Sequence, residues 1–303
     1  MCHNINKSFN DKVENELKNL EKTLSFNPVT DSPITVTEIK QVLKKLKKGK
    51  ASGPDGIGNE IIKHSSCLTI KALAKLFNLI MNSGYYPVKW NQSYMILLHK
   101  SGSKTDPSNY RGISLINCIS KIFSGVLNGR LIKIMEDKFS NSQFGFRENH
   151  RTSDSLFILK SLINKYIHKK KQKLFICFVD LQKAFDSVWR DGLLFKLANI
   201  GVGEKIYNII KSHFYKTETA FKLENLHSNF FETTRGVRQG DSISPTLFNI
   251  FINDLDKAFN SEGTNSPTLV NSKVGSLLFA DDLLIISESN EGLQNSINNP
   301  ATF

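Results

Sequence analysis

Residues 279–287 read FADDLLIIS and place two adjacent carboxylates, Asp281 and Asp282, between short apolar runs. The apolar runs predict two buried strands, with the Asp pair at the tip of the hairpin that joins them. An Asp pair beside apolar residues is most often a solvated turn. The pair therefore indicates chemistry only if the fold brings another functional group beside it.

A second apolar run also ends in a carboxylate. Residues 174–179 read LFICFV, a continuous run rich in β-forming residues, and Asp180 follows it. Such a run predicts a strand that is buried on both faces of a sheet and that delivers Asp180 to the sheet edge. If both strands lie in one sheet, three negative charges meet at one point, and divalent cations would relieve their repulsion. Carboxylate oxygens suit Mg²⁺, and two such ions can support phosphoryl transfer.

The composition narrows the class of protein. The chain has 303 residues, of which 40% are hydrophobic, so it can form one large domain or two packed domains. No apolar run approaches the ~18 residues of a membrane span, and the polar amino terminus lacks a secretory or transit signal. We therefore expect an intracellular protein of the nucleus or cytoplasm that is neither secreted nor membrane-bound.

The charge indicates the class of partner. The formal net charge is +12, and a polyanion gains binding free energy when Lys and Arg displace its counterions. Nucleic acid is therefore the leading partner class, although a run such as KKLKKGK (44–50) is more often a solvated helix end. The four cysteines are far apart in sequence and include no CxxC pair, which argues against a zinc site.

Periodicity and turn signals predict the local elements. Thr35 and Glu38 fit the capping box of a helix that Gly49 ends. The other predicted elements are helices around 70–84 and 152–167, strands at 93–100 and 109–116 that carry Lys100 and Arg111, and a helix from Ser244 that follows a glycine-flanked turn.

Six blocks, in the same order along the chain, resemble the reverse transcriptases of non-LTR (LINE-type, jockey-like) retrotransposons. Their order makes chance similarity very unusual, although FADD alone would be a weak signal. The resemblance covers about residues 29 to 290. The blocks are KKGKASGPDGI (47–57), HKSGSKTDPSNYRGISL (99–115), SQFGFRENHRTSDSL (142–156), FVDLQKAFDSV (178–188), GVRQGDSISPTLFN (236–249) and FADD (279–282).

The resemblance implies an α+β fold of the right-hand polymerase type. It predicts a helical lead-in over 1–28, fingers of helices and strands over 29–172, and a palm over 173–303 that resembles a ferredoxin-like, split βαββαβ sheet. Members of the family continue beyond the FADD block through the last palm strand, the primer-gripping hairpin and the thumb. Because the chain stops at Phe303, we expect an incomplete palm and no thumb, and we also expect no endonuclease domain before the polymerase.

The resemblance also implies the reaction and its metal ligands. An RNA-directed DNA polymerase adds deoxynucleotides from dNTPs to the 3′-hydroxyl of a DNA primer on an RNA template. Asp180 and Asp281 resemble the ligands shared by two Mg²⁺ ions, for which Mn²⁺ can substitute, and Asp282 resembles a weaker ligand beside them. The alternative for these carboxylates is an ordinary solvated turn.

Four further residues resemble the nucleotide-binding set of the family. Lys100 and Arg111 match the cations that hold the incoming triphosphate, against the alternative of ordinary surface cations. Phe185 matches the aromatic residue whose bulk excludes a ribose 2′-hydroxyl, against the alternative of core packing. Gln239 matches the residue that contacts the incoming nucleotide. Gly112 stands where the family usually has Pro, which loosens the backbone beside Arg111.

Weaker candidates and other functions remain open. Arg238 is a weaker candidate for nucleic acid contact, and the segment 144–147 either lines the template path or belongs to the core. The alternative function is an inactive, truncated remnant with residual RNA binding, and a polymerase that makes RNA is disfavoured by Phe185. No protein partner is predicted.

Overall fold

The computed structural model describes residues 7–169 and 171–298, and it confirms the predicted mixed α+β class. Single turns of 3₁₀-helix at Val88–Asn91, Pro107–Asn109 and Glu136–Lys138, and a π-helical turn at Asn164–Lys169, interrupt the regular elements. The α-helices are α1 (Lys7–Glu21), α2 (Pro28–Asp31), α3 (Val36–Lys45), α4 (Asn59–Lys63), α5 (Cys67–Ser83), α6 (Cys118–Met135), α7 (Thr152–Ile163), α8 (Ala184–Ser187), α9 (Arg190–Asn199), α10 (Glu204–Phe214), α11 (Ser244–Ile252), α12 (Leu255–Phe259) and α13 (Asn290–Asn298).

The strands form three separate sheets. β1 lies between β2 and β4, β4 also pairs with β5 and β6, β10 lies between β3 and β9, and β7 pairs with β8. The strands are β1 (Gln92–His99), β2 (Tyr110–Ile116), β3 (Phe175–Asp180), β4 (Glu218–Leu223), β5 (Leu226–His227), β6 (Phe231–Glu232), β7 (Thr268–Leu269), β8 (Ser272–Lys273), β9 (Ser276–Phe279) and β10 (Asp282–Ser287).

The chain divides into two compact units, and each is built from two stretches of sequence. The first unit contains the chain up to Ile134 and Phe185–Leu247, and the second contains Met135–Ala184 and the chain from Phe248 onward. The assignment of fingers to 29–172 and palm to 173–303 stays a prediction.

In the first unit, the predicted capping box begins α3. Thr35 Oγ1 accepts a hydrogen bond from the Glu38 backbone N–H at 3.2 Å, and Glu38 Oε2 accepts one from the Thr35 N–H at 2.8 Å. The helix ends after Lys45, earlier than Gly49, because Leu46 takes an extended backbone and is buried there. Arg130 of α6 binds Glu38 at 2.8 Å and so joins the two helices.

In the second unit, the FADD hairpin forms as the sequence predicts. β9 and β10 pair antiparallel, and β10 lies between β9 and β3, as in a split βαβ unit. α13 contacts both β10 and β3. The core of this unit combines α7, the π-helical turn, β9 and β10 through Phe144, Leu162, Tyr166, Leu277, Leu284 and Ile286.

The prediction that β3 is buried on both faces is wrong. Phe178 is 80% exposed, and every residue of β3 is half-buried or exposed. β3 is exposed because of its position in the sheet. Among the described strands it pairs only with β10, so it lies at the edge. A continuous apolar run cannot distinguish an edge strand from a central one.

Within the two described ranges, none of the helices combines the length and the apolar character that crossing a bilayer requires.

Candidate active site

The three predicted carboxylates lie at one end of the sheet in the second unit. Asp282 begins β10 and stands directly opposite Asp180, the last residue of β3. Asp281 precedes it in the two-residue turn that joins β9 to β10. Asp180 and Asp282 are exposed, and Asp281 is half-buried. Pairing between β3 and β10 therefore brings residues that are about a hundred positions apart in sequence to one point.

The turn that carries Asp281 has an unusual backbone. Ala280 has φ +60°, in the left-handed region, and is buried. Two-residue hairpin turns need such a residue, and glycine normally supplies it because a Cβ is disfavoured there. Non-glycine residues in this region often mark functional sites, since the surrounding structure must hold them in place.

A neighbouring segment holds this turn through Gln143, which the sequence reasoning missed. Residues 142–144 pair with Leu278 of β9, and the buried carboxamide of Gln143 accepts a hydrogen bond from the Ala280 N–H at 3.1 Å. The available sequence signal was the position of Gln143, directly before Phe144 and Gly145 in the third block.

The donor chemistry of the carboxylates fits a divalent cation. Asp180 and Asp282 project hard oxygen ligands from directly opposed positions, and a cavity of about 390 Å³ that both residues line leaves room for a substrate. Mg²⁺ typically takes one or two protein carboxylates and completes its shell with water and substrate phosphates. Across residues 7–169 and 171–298, no group of three or more His, Cys, Asp or Glu side chains is arranged to hold a metal ion. Asp180 and Asp282 thus offer a partial ligand set for a divalent cation.

Lys100 and Arg111 lie on one hairpin of the first unit. Lys100 follows β1, and its backbone N–H donates to the Asn109 carbonyl at 2.8 Å. Arg111 lies on β2 opposite Leu98. Both cationic side chains are exposed. The hairpin thus presents an ammonium and a guanidinium to solvent from neighbouring strands, as a triphosphate would require.

Gln239 is fixed to the same hairpin. Its carbonyl accepts a hydrogen bond from the Ser114 N–H of β2 at 2.7 Å. Gly240 follows with φ +123°, and a Cβ there would lie 2.4 Å from the Ser114 carbonyl oxygen. The close approach of the Gln239 turn to β2 therefore requires glycine at position 240. β2 therefore carries Arg111 and also holds Gln239 through the backbone of Ser114.

Phe185 is tied to the same turn from the other side. It is half-buried in α8, and its carbonyl accepts a hydrogen bond from the Val237 N–H at 2.8 Å. Gly236 packs on the backbone of Asp186, where a Cβ would lie 2.7 Å from the Asp186 carbonyl oxygen. The first unit therefore carries the four predicted nucleotide-binding residues on three connected elements, the β1–β2 hairpin, the 236–240 turn and α8.

The burial of Arg238 contradicts the prediction that its side chain contacts nucleic acid. The side chain is buried beneath the turn and donates to the carbonyls of Trp90 and Asn91. His213 and Asp241 are buried beside it, with 3.4 Å between His213 Nε2 and Asp241 Oδ2. Burial raises the pKa of Asp241 and lowers the pKa of His213. This buried polar cluster supports the Gln239 turn from below.

The segment 144–147 has mixed roles. Phe144 belongs to the core, whereas Phe146 is 51% exposed with φ +59°. The Arg147 side chain is buried, with 3.0 Å between its Nη2 and Glu136 Oε1. It also donates to backbone carbonyls, so its charge is already paired within the second unit. Of the two alternatives for this segment, the core therefore accounts for Phe144 and Arg147, whereas Phe146 lies at the surface.

Comparison with known proteins agrees with the block pattern. Residues 98–302 match the family described as Reverse transcriptase (RNA-dependent DNA polymerase). The RNA-directed DNA polymerase from mobile element jockey of Drosophila melanogaster is 29% identical over 85% of this chain and 28% of its own length. The probable RNA-directed DNA polymerase from transposon BS of the same species is 29% identical over 92% of this chain and 30% of its own length.

A third relative extends the same pattern. The Pol polyprotein from type-1 retrotransposable element R2 of Nasonia vitripennis is 29% identical over 94% of this chain and 26% of its own length. The chain thus spans less than a third of the length of these relatives. The resemblance to non-LTR retrotransposon polymerases is confirmed, and the family match covers more than half of the sequence. The chain belongs to the reverse transcriptase (RNA-dependent DNA polymerase) family.

Proposed function

We propose that the chain carries the catalytic centre of an RNA-directed DNA polymerase that extends a DNA primer with deoxynucleotides on an RNA template. The observation that carries the proposal is the register of β3 and β10, which sets Asp282 opposite Asp180 and Asp281 one residue away. Clustered carboxylates repel one another, and cations that bind between them relieve this repulsion. Family membership supplies the reaction class.

Asp180 and Asp281 would hold two Mg²⁺ ions in this proposal, with Asp282 as a weaker ligand beside them, and Mn²⁺ could replace Mg²⁺. When bound, such ions would supply activation of the primer hydroxyl and neutralisation of charge on the leaving oxygen. The primer 3′-oxygen forms a bond to the α-phosphorus, and the bond from that phosphorus to the β-phosphate oxygen breaks. Pyrophosphate leaves, and the hydroxyl proton passes to water.

The first unit supplies the nucleotide contacts in this proposal. Lys100 and Arg111 bind the triphosphate, and the exposure of both side chains is the observation in favour. Gln239 contacts the incoming nucleotide, and Phe185 rejects a ribose 2′-hydroxyl. The Phe185 carbonyl accepts a hydrogen bond from Val237 in the turn that contains Gln239, and this link supports a joint role for Phe185 and Gln239.

A basic groove in the first unit supports an RNA partner. The groove, which we call the lysine groove, lies between α3 and α6 and has a volume of about 460 Å³. Its floor is largely apolar, and its one carboxylate, Glu38, is already bound by Arg130. Among the residues that the structure describes, none of its lysines has a carboxylate within 4.0 Å. These lysines are Lys45, Lys47, Lys50, Lys121 and Lys133.

Unpaired lysines around an apolar floor match a single-stranded polynucleotide, because phosphates bind the rim while bases cover the floor. We assign the template strand to this groove.

The test is nucleotide incorporation by the full chain on poly(rA) annealed to oligo(dT), with dTTP and Mg²⁺. We expect incorporation by the natural sequence and a loss of at least about 100-fold for Asp281→Asn. Asp137→Asn is the matched control, because Asp137 is an exposed carboxylate of the same unit outside the site, and its activity should stay unchanged.

Two results would count against the proposal. Equal activity of the natural chain and Asp281→Asn would remove the carboxylates from catalysis. A folded chain that binds the heteroduplex and incorporates nothing would favour the alternative, a remnant that retains RNA binding alone.

A further inference from the structure

We propose that Gln143 is a positioning residue whose carboxamide holds the Ala280–Asp281 turn in the backbone conformation that presents Asp281. The inference rests on the proposed function for the role of Asp281, and its geometry is independent of that function. Gln143 lies within the second unit, 3% exposed, and touches none of the three carboxylates in its hydrogen bonds. It acts through the backbone of Ala280.

The turn needs outside support because its first residue is not glycine. Ala280 has φ +60°, a conformation that its Cβ disfavours, and it is only 6% exposed. Its buried N–H and carbonyl must find partners in the protein, since water is excluded. A turn with these properties relaxes to another conformation if its partners are removed, and Asp281 then changes direction.

Gln143 supplies those partners. Its Oε1 accepts hydrogen bonds from the Ala280 N–H at 3.1 Å and from the Gly145 N–H at 2.7 Å. Its Nε2 lies 3.5 Å from the Ala280 carbonyl oxygen. One side chain therefore faces both backbone groups of the strained residue and joins them to its own segment.

The segment around Gln143 is itself anchored on both sides. The Phe144 N–H donates to the Leu278 carbonyl at 2.8 Å, and the Leu278 N–H donates to the Ser142 carbonyl at 2.8 Å, so 142–144 lies beside β9 in parallel. Beyond it, the Gly145 carbonyl accepts a hydrogen bond from Asn249 Nδ2 at 2.8 Å. The position of the Gln143 carboxamide is thus fixed before it meets the turn.

Gly145 makes the contact possible. A Cβ at this position would lie 2.1 Å from the Ala280 nitrogen and 2.8 Å from its Cα. The backbone of the segment therefore touches the backbone of the turn, and no other residue type fits. Together, Gln143 and Gly145 form a clamp on Ala280, the residue before Asp281. This clamp explains physically why Gln and Gly stand in the QFG sequence of the third block.

The experiment uses Gln143→Met in the full chain, because methionine keeps the side-chain volume and removes the hydrogen bonds. Gln294→Ala is the control, since Gln294 is an exposed glutamine of the same unit. The first readout is hydrogen exchange at the Ala280 and Gly145 amides. We expect both to be protected in the natural chain and to exchange at least about 10-fold faster in Gln143→Met. Fast exchange in the natural chain would overturn the proposal.

The second readout separates positioning from simple stability. We expect Gln143→Met to lower kcat for primer extension about 10–100-fold, to change the KM for dNTP less than about 3-fold, and to require more Mg²⁺ for half-maximal rate. Adding Ala280→Gly should restore part of kcat, because glycine adopts positive φ without support. An unchanged kcat, or no rescue by Ala280→Gly, would show that Gln143 only satisfies buried backbone groups.

A third readout does not depend on polymerisation. Titration with Mn²⁺, followed by electron paramagnetic resonance, should give a weaker affinity for Gln143→Met than for the natural chain and Gln294→Ala. If the natural chain extends no primer but this difference is seen, the proposed function fails and the clamp stands. If the affinities are equal, the clamp fails whatever the activity.

Discussion

Replacing Asp282 by Asn should make the metal-free protein more stable. Asp282 stands directly opposite Asp180 in an antiparallel pair, so their backbones are about 5 Å apart. Two unit charges at about 5 Å in a water-like dielectric repel by about 0.8 kcal/mol, and physiological salt reduces this to about 0.4 kcal/mol. We therefore expect Asp282→Asn to raise the free energy of unfolding by about 0.4 kcal/mol without divalent ions, in line with measured cross-strand pairs.

Divalent ions should reverse this order. At a Mg²⁺ concentration ten times its Kd, the natural chain gains about 1.4 kcal/mol of stability by mass action, and a variant with a weakened site gains less. The assay is urea unfolding of the natural chain and Asp282→Asn, with and without Mg²⁺, and Asp137→Asn as the control. The reasoning is refuted if Asp282→Asn is less stable without Mg²⁺, or if Mg²⁺ stabilises all three proteins equally.

Three further predictions concern the first unit. Burial raises the pKa of Glu38, but hydrogen bonds from Arg130 and Thr35 outweigh it and leave the pKa below its ordinary value of 4.5. The contribution of Glu38 to stability is therefore present above pH 4.5 and lost as the pH falls through its folded-state pKa. Between about pH 5 and 3, the free energy of unfolding measured in urea should therefore change less for Glu38→Gln than for the natural chain. Gly240→Ala should cost about 3 kcal/mol in the same assay, because it adds a left-handed strain and a clash, whereas a cost below about 1 kcal/mol would contradict the geometry. Replacing Lys121 and Lys133 by Gln should lower the slope of log affinity for single-stranded RNA against log salt by about 1.4, and an unchanged slope would remove the lysine groove from RNA binding.

Local signals in the sequence predict the local structure well. The capping box of Thr35 and Glu38 begins a helix, Gly84 ends another in a left-handed conformation, and the FADD hairpin forms between its two apolar runs. Each of these features depends on residues within a few positions of one another. The same holds for the β1–β2 hairpin that carries Lys100 and Arg111.

Features that depend on distant partners could not be predicted. The exposure of Phe178 depends on whether another strand lies beside β3, which the composition of β3 does not encode. Arg238 has the sequence context of a ligand contact, and only the fold shows that backbone carbonyls over 140 positions away bind it. The role of Gln143 likewise depends on a distant partner, because Ala280 is 137 positions away, and the third block marks only the position of Gln143.

The order of the family blocks predicted more of the site than the local patterns did. Asp180 and the FADD pair are separated by about a hundred residues. The resemblance assigns them to one site from the sequence, and the register of β3 and β10 sets Asp282 opposite Asp180. It could not group the polar residues beneath the Gln239 turn, since His213 lies outside every block.

The most direct test of the central claim is single-nucleotide addition on a defined RNA. A labelled DNA primer is annealed so that the next template base is uridine, and the full chain is given one dNTP at a time with Mg²⁺. We expect extension by one nucleotide with dATP alone, and none by Asp281→Asn, while Asp137→Asn matches the natural chain. Addition without regard to the template base, or equal extension by Asp281→Asn, would contradict the assignment of this site as a template-directed polymerase centre.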